Sequence, residues 1–264
     1  MNRKLFESIG VLLIAGVLCA CSATGPHTAP ASGSTAADYN PAAAEATRNV
    51  GEAYLNEGNL IAALREFKRA EALNPDDPIT HYDLGLVYYY RERYDQAVEH
   101  LERAIRLRPD YAPAINSLGN VYAAQQKWDK AIEAYERIVD DAFYGTPYFP
   151  LSNMGLAYYH KKDYAKAEKY LLEALKLSPD FINALGGLGA TYNALGRYAE
   201  AAAKLERAVK KDPKSAPLHF ELARAYAGMG EKQKARIGYS RVVELAPGSP
   251  LAVDAQRELK LLNP

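Results

Sequence analysis

Catalysis and metal binding both need groups that converge, so the thiols, imidazoles and carboxylates of this 264-residue chain come first. Cys19 and Cys21 both lie near the N-terminus, which leaves the rest of the chain no thiol for a disulfide, a metal or a nucleophile. Of the five histidines, His27 sits in a Ala/Ser/Thr/Pro stretch, and His81 and His219 occupy equivalent positions of a repeating pattern. His100 and His160 stand alone. These spacings contain no HExxH, no Cys–His ligand set and no phosphate loop, so no metal and no cofactor is expected. "GGLGATYNALGR" (Gly186–Arg197) is glycine-rich, but it falls inside a helical pattern rather than after a strand. The acidic pairs Asp76-Asp77 and Asp140-Asp141 fall at helix ends, where carboxylates serve turns. These residues describe no enzyme.

Charge excludes further classes. Lys+Arg and Asp+Glu both number 32, so nothing favours nucleic acid or an anionic membrane surface as partner. The N-terminus has its own logic. Arg3 and Lys4 precede the apolar run Ile9–Leu18, which has the length of a signal-peptide core and is short for a membrane-spanning helix, which needs about 20 residues. The run ends in Leu18-Cys19-Ala20-Cys21, which resembles the bacterial lipobox; Cys21 has leucine three residues before it, whereas Cys19 has Gly16 there. That resemblance implies acylation at Cys21, and Ser22 in place of aspartate implies the outer membrane, with the chain facing the periplasm. Residues 1–20 are then the signal peptide. Residues 21–43, nearly free of large apolar side chains, are expected to be a flexible tether.

From residue 44 the chain is periodic. Gly51, Gly85, Gly119, Gly155 and Gly189, with Ala223 in the sixth place, form a small-residue column. Three residues beyond each stands a tyrosine (Tyr54, Tyr88, Tyr122, Tyr158, Tyr192, Tyr226), and twelve beyond stands an alanine (Ala63, Ala97, Ala131, Ala167, Ala201, Ala235). Pro75, Pro109, Pro179, Pro213 and Pro247 close five of the six units. Small residues let two antiparallel helices approach, the tyrosine supplies a packing ring, and proline stops the second helix. Val50, Leu84, Leu118, Met154, Leu188 and Leu222 are expected to pack on the first helices, and Phe67, Leu101, Tyr135, Leu171, Leu205 and Tyr239 on the second. Tyr94, Tyr164, Tyr198 and Trp128 follow the inter-helix turns. Over half of the twenty tyrosines therefore belong to the core.

The columns resemble the tetratricopeptide (TPR) repeat. The resemblance implies an all-α, right-handed superhelical solenoid of six helix-turn-helix units at 44–77, 78–111, 112–147, 148–181, 182–215 and 216–249. Residues 250–264 read as a capping helix, with Val253, Leu259 and Leu262 inward and Asp254, Arg257, Glu258 and Lys260 in water.

In that family the first helices line a concave face at positions 2, 5, 9, 12 and 13 of each unit. In the second repeat these positions hold Ile79, Tyr82, Leu86, Tyr89 and Tyr90, and in the fourth Phe149, Ser152, Leu156, Tyr159 and His160. The third and fifth add Asn116, Asn120, Asn183 and Asn193. Glu52 and Leu86 stand where family members that clamp a terminal carboxylate have asparagine, which disfavours that ligand class. An apolar, Tyr- and Asn-edged groove suits an amphipathic helix or extended peptide of a protein partner. Tyr82, Leu86, Tyr89, Tyr90, Asn116, Asn120, Phe149, Leu156, Tyr159 and Asn193 are the expected contacts. The competing reading is that Tyr82, Tyr89 and Phe149 pack between repeats or against the chain's own tether.

A lipobox, a short tether and six such repeats resemble the type IV pilus biogenesis lipoproteins, the pilotins, which help the outer-membrane secretin assemble. "YGTPYFPLSNMGL" (Tyr144–Leu156) is similar to that family's irregular third-to-fourth junction; Gly119 and Gly155 lie 36 residues apart where the other columns repeat at 34. Phe143 stands where the closing proline belongs, and Pro147 comes four residues later. The resemblance implies a lipid-anchored adaptor whose groove takes a secretin subunit. A general envelope scaffold for peptidoglycan enzymes or exopolysaccharide export fits the same repeats.

Overall fold

A computed structural model describes residues 39–139 and 145–262 of the chain. The signal peptide, Cys21, most of the tether, Phe143 and Tyr144 lie outside the described residues. Thirteen helices and no strands are present among the described residues: α1 (Pro41–Asn56), α2 (Leu60–Leu73), α3 (Pro78–Tyr90), α4 (Tyr94–Leu107), α5 (Ala112–Ala124), α6 (Trp128–Val139), α7 (Tyr148–His160), α8 (Tyr164–Leu177), α9 (Ile182–Ala194), α10 (Tyr198–Lys211), α11 (Ala216–Gly228), α12 (Lys232–Leu245) and α13 (Pro250–Leu262). They fall into two compact units, divided within α6 between Ala134 and Tyr135.

The small-residue column sets the register. α3, α5, α7, α9 and α11 each start seven residues before it and end five after it, and every second helix of a pair starts nine residues after it. The extra residues between Gly119 and Gly155 therefore lie between Val139 and Tyr148, and Pro147 caps the start of α7. α1 begins at Pro41, inside the stretch read as tether, because Asn40 accepts a hydrogen bond from the Ala43 amide and Pro41 opens the helix. Asn74, Arg108, Ser178, Asp212 and Ala246 end the second helices with extended or near-extended backbone, as a residue before proline must.

In the N-terminal unit α1 packs on α2 and α3 on α4, while α3 touches α1 and α5 as well. In the C-terminal unit α7 pairs with α8, α9 with α10 and α11 with α12, and α13 covers α11 and α12. Close approach explains the glycines. A Cβ on Gly51, Gly85, Gly155 or Gly189 would lie 2.4–2.6 Å from the nearest carbon of Phe67, Leu101, Leu171 or Leu205, each fully buried. In the sixth repeat, where Ala223 replaces glycine, Gly238 on the facing helix supplies the room instead.

Two packing expectations need correction. Val50 is 47% exposed, because no helix precedes α1 among the described residues to cover the face that Leu84 and Leu188 bury in later repeats. Val253 is 60% exposed. The buried stripe of α13 is Ala252, Ala255, Leu259 and Leu262, at helical spacing, and it packs around Tyr239 and Val242.

Candidate functional site

Tyr82, Leu86, Tyr89 and Tyr90 project from α3 of the N-terminal unit, and Asn116 and Asn120 from the adjacent α5. Only Tyr90 among them is exposed, at 39%; the other five are half-buried. Tyr82 meets Tyr111 edge to face at 5.4 Å, and Arg108 lies over the Tyr111 ring. Burial raises the Tyr82 phenol, whose hydroxyl bonds Ser117, and burial together with Asp83 pushes Tyr111 up to about 12. Tyr89 packs against Tyr90 and Tyr94.

Beneath these rings lies a charged hub. Arg48 of α1 bonds Glu52 at 3.2 Å and Asp77 at 3.0 Å. Asp77 also caps α3, accepting from the Ile79 and Thr80 amides and from the Thr80 hydroxyl. Burial opposes its ionisation, yet these bonds and Arg48 hold its carboxyl below the usual range. Asp83 is different. It is buried, its Oδ2 has no hydrogen-bond partner, and Arg48 Nε is 4.0 Å away. Burial first, then the Glu52 charge, pushes its pKa well above the ordinary carboxylate value. The buried Asn116 Oδ1 is also unpartnered.

In the C-terminal unit, Phe149, Leu156 and Tyr159 stand on α7 and Asn193 on α9. Phe149 stacks on Tyr148 at 4.7 Å, and both rings meet Phe181 edge to face, so this part of the predicted surface packs against its own chain. Leu156 fills the space left by Gly187 of α9. Asn193 is buried, not an open groove donor; its Nδ2 donates to the Glu221 backbone oxygen and to Glu221 Oε2, both at 2.9 Å. Arg224 pairs with Glu221 at 3.0 Å and hydrogen-bonds the Tyr159 hydroxyl. Burial and Glu221 push that phenol up to about 12. Asn193 Oδ1 in this network and the buried Ser152 Oγ of α7 have no hydrogen-bond partner.

Both units thus present an aromatic surface over a buried polar network. Sequence reasoning missed Arg48 and Arg224, although both occupy the concave-face positions that drew attention in the middle repeats. It also missed Tyr111 and Phe181, whose signal is an aromatic residue two places after the closing proline. A further correction concerns the histidines. His81 and His100 do converge, with Nδ1 atoms 3.1 Å apart, inside the N-terminal unit. Burial, reinforced by Lys68, pushes His100 down to about 4.

Such a fold, successive helix pairs with no strand among the described residues, is that of a helical-repeat protein. The chain belongs to the tetratricopeptide repeat proteins: models of that repeat match residues 51–90, 82–144, 148–214 and 192–259. Proteins of this class bind protein or peptide partners, and the matching models are those of a scaffold repeat rather than of a catalytic family. DnaJ homolog subfamily C member 7 of Mus musculus and of Homo sapiens are each 30% identical over 109 residues, 41% of this chain. The match spans 22% of those relatives' length. Among solved structures, PilW, described as a widely conserved type IV pilus biogenesis factor, superposes with a TM-score of 0.73 at 19% identity, over 81% of this chain and 98% of PilW. PilF of Pseudomonas aeruginosa gives 0.71 at 20% identity, over 82% and 97%. YrrB, a TPR protein with an unusual peptide-binding site, gives 0.52 at 20% identity, over 72% and 97%. At these identities the likeness is one of fold.

Proposed function

We propose that this protein is a lipid-anchored adaptor that captures an apolar segment of an unassembled outer-membrane secretin subunit and assists secretin assembly for type IV pili. The observation that carries the reading is likeness in extent as well as fold: the chain matches almost the whole length of two pilus TPR proteins, PilW and PilF. The lipobox at Cys21 supports the anchor, which would hold the repeats at the periplasmic leaflet of the outer membrane. Two or three acyl chains, at about 0.8 kcal/mol per buried methylene, give stable attachment. Tethering raises the local concentration of the repeats, so a groove with only about micromolar affinity still captures its partner. Tyr90 and the half-buried Tyr82, Leu86 and Tyr89 supply the apolar contact in one unit, and Leu156 and Tyr159 in the other.

Deleting the gene tests the assignment. Heat-resistant secretin multimers should disappear from gels of the deletion strain and return with the wild-type gene; multimers persisting without the gene would overturn the pilus reading. Cys21→Ala should abolish incorporation of radiolabelled palmitate, and retained label would refute the anchor.

A further inference from the structure

Glu71 of α2, His81 of α3 and His100 of α4 bring one ligand atom each to a single point in the N-terminal unit. The two Nδ1 atoms are 3.1 Å apart, and Glu71 Oε1 is 3.8 Å from both. The point equidistant from the three lies about 2.1 Å from each, the bond length of zinc to imidazole nitrogen or carboxylate oxygen; with ring centroids 5.3 Å apart the two Nδ1 atoms face one another, so each imidazole turns off that line to aim its lone pair at the metal. We propose that Glu71, His81 and His100 bind a divalent cation of the zinc class, in a three-ligand site that ties the first repeat to the second.

The surroundings fit that use. His81 Nε2 lies 2.9 Å from the Pro75 carbonyl, which only accepts, so Nε2 carries the proton and the Nδ1 lone pair remains for a metal. This is the outer hydrogen bond that orients a metal-bound imidazole. Tyr88 stacks on His100 with ring centroids 5.3 Å apart and planes 14° apart, covering one face of that ring. Both imidazoles are buried, while Glu71 is half-buried and leaves one side for a fourth, water ligand. Two nitrogens and one carboxylate suit zinc, cobalt, nickel or copper; magnesium and calcium favour oxygen ligands throughout.

Without a metal, one proton bridges the two rings. His100 Nδ1–H donates to His81 Nδ1, and His100 Nε2 accepts from Lys68 Nζ at 3.4 Å. Metal binding moves that proton to His100 Nε2 and turns Lys68 away, leaving both rings neutral and nothing oxidised. Lys68 is 43% exposed and can swing into solvent. Its bond to Glu71 Oε2 leaves Oε1 for the metal.

The test uses the full-length chain, purified in detergent and stripped with EDTA. Isothermal titration with zinc chloride should show one site per chain, and zinc at 100 times the dissociation constant should raise the Tm by about 5 °C or more. Glu71→Gln and His100→Gln should each weaken binding at least about tenfold. His219→Gln should bind like the wild type, because His219 makes the same bond to a proline carbonyl, that of Pro213, but has no part in the cluster. Cobalt(II) added to the unaltered protein should give the intense visible bands of a four-coordinate nitrogen–oxygen site, a readout that does not depend on how any variant folds. A wild type with no zinc-dependent shift overturns the proposal. So do weak octahedral cobalt bands, or binding that survives both substitutions unchanged.

Discussion

At the turn joining the two helices of each repeat, one residue adopts left-handed backbone: Gly58, Glu92, Gln126, Lys162, Gly196 and Gly230. The column is conformational rather than chemical, so side-chain identity hides it where glycine is absent. A non-glycine residue in that region costs about 1–2 kcal/mol, partly offset by the entropy that glycine loses on folding. Lys162→Gly should therefore stabilise the protein by about 0.5–1 kcal/mol in urea denaturation, and a loss of stability would contradict the assignment of strain. Gly189→Ala should do the opposite. Its Cβ would lie 2.4 Å from Leu205 Cγ, and such overpacking costs about 1–3 kcal/mol. Asp83 gives a pH test. A carboxyl whose folded pKa is raised stabilises most when protonated in both states and loses that contribution as pH rises through the folded pKa. Asp83→Asn should accordingly raise the Tm at pH 7, and the gain should vanish below about pH 4, where the unfolded carboxyl is also protonated. A gain equal at both pH values would mean that the charge is not the cause.

At the scale of elements, the sequence made most helices legible. Proline followed five of the six second helices where the pattern placed it, and the small-residue column fixed which faces meet. Contacts that cross between repeats were less visible. His81 and His100 are 19 residues apart on different helices, a spacing that belongs to no local motif, and Glu71 comes from the preceding repeat. Asn193 looked like a groove donor by position, but Glu221 on the next first helix claims it. His81 meets His100 within one repeat, but Glu71 joining them and Glu221 claiming Asn193 are set by how one repeat stacks on another, which periodicity does not encode. The cap shows the same limit: the buried stripe was found only in part, because small alanines carry little signal beside an exposed valine. Ala255→Asp should cost about 3 kcal/mol or more in stability, whereas Val253→Asp should stay within about 0.5 kcal/mol. Equal effects would place the helix in a different register.

At the scale of the whole molecule, the TPR fold is proposed to act from a lipid anchor on a protein partner. No helix among the described residues is long and apolar enough to cross a membrane; the proposed attachment is the acylation at Cys21. The polar networks beneath the aromatic surfaces keep those surfaces in place: Arg48 links α1 to the start of α3, and Arg224 links α11 to Tyr159 on α7. In the proposed function the partner meets the first helices and not the second. The direct measurement is photocrosslinking in cells, with a benzophenone amino acid replacing Tyr90 on α3 or, as control, Lys169 on α8. The account predicts a covalent adduct with the secretin subunit from position 90 and none from position 169; adducts of equal yield from both positions, or no secretin adduct from position 90, would contradict it.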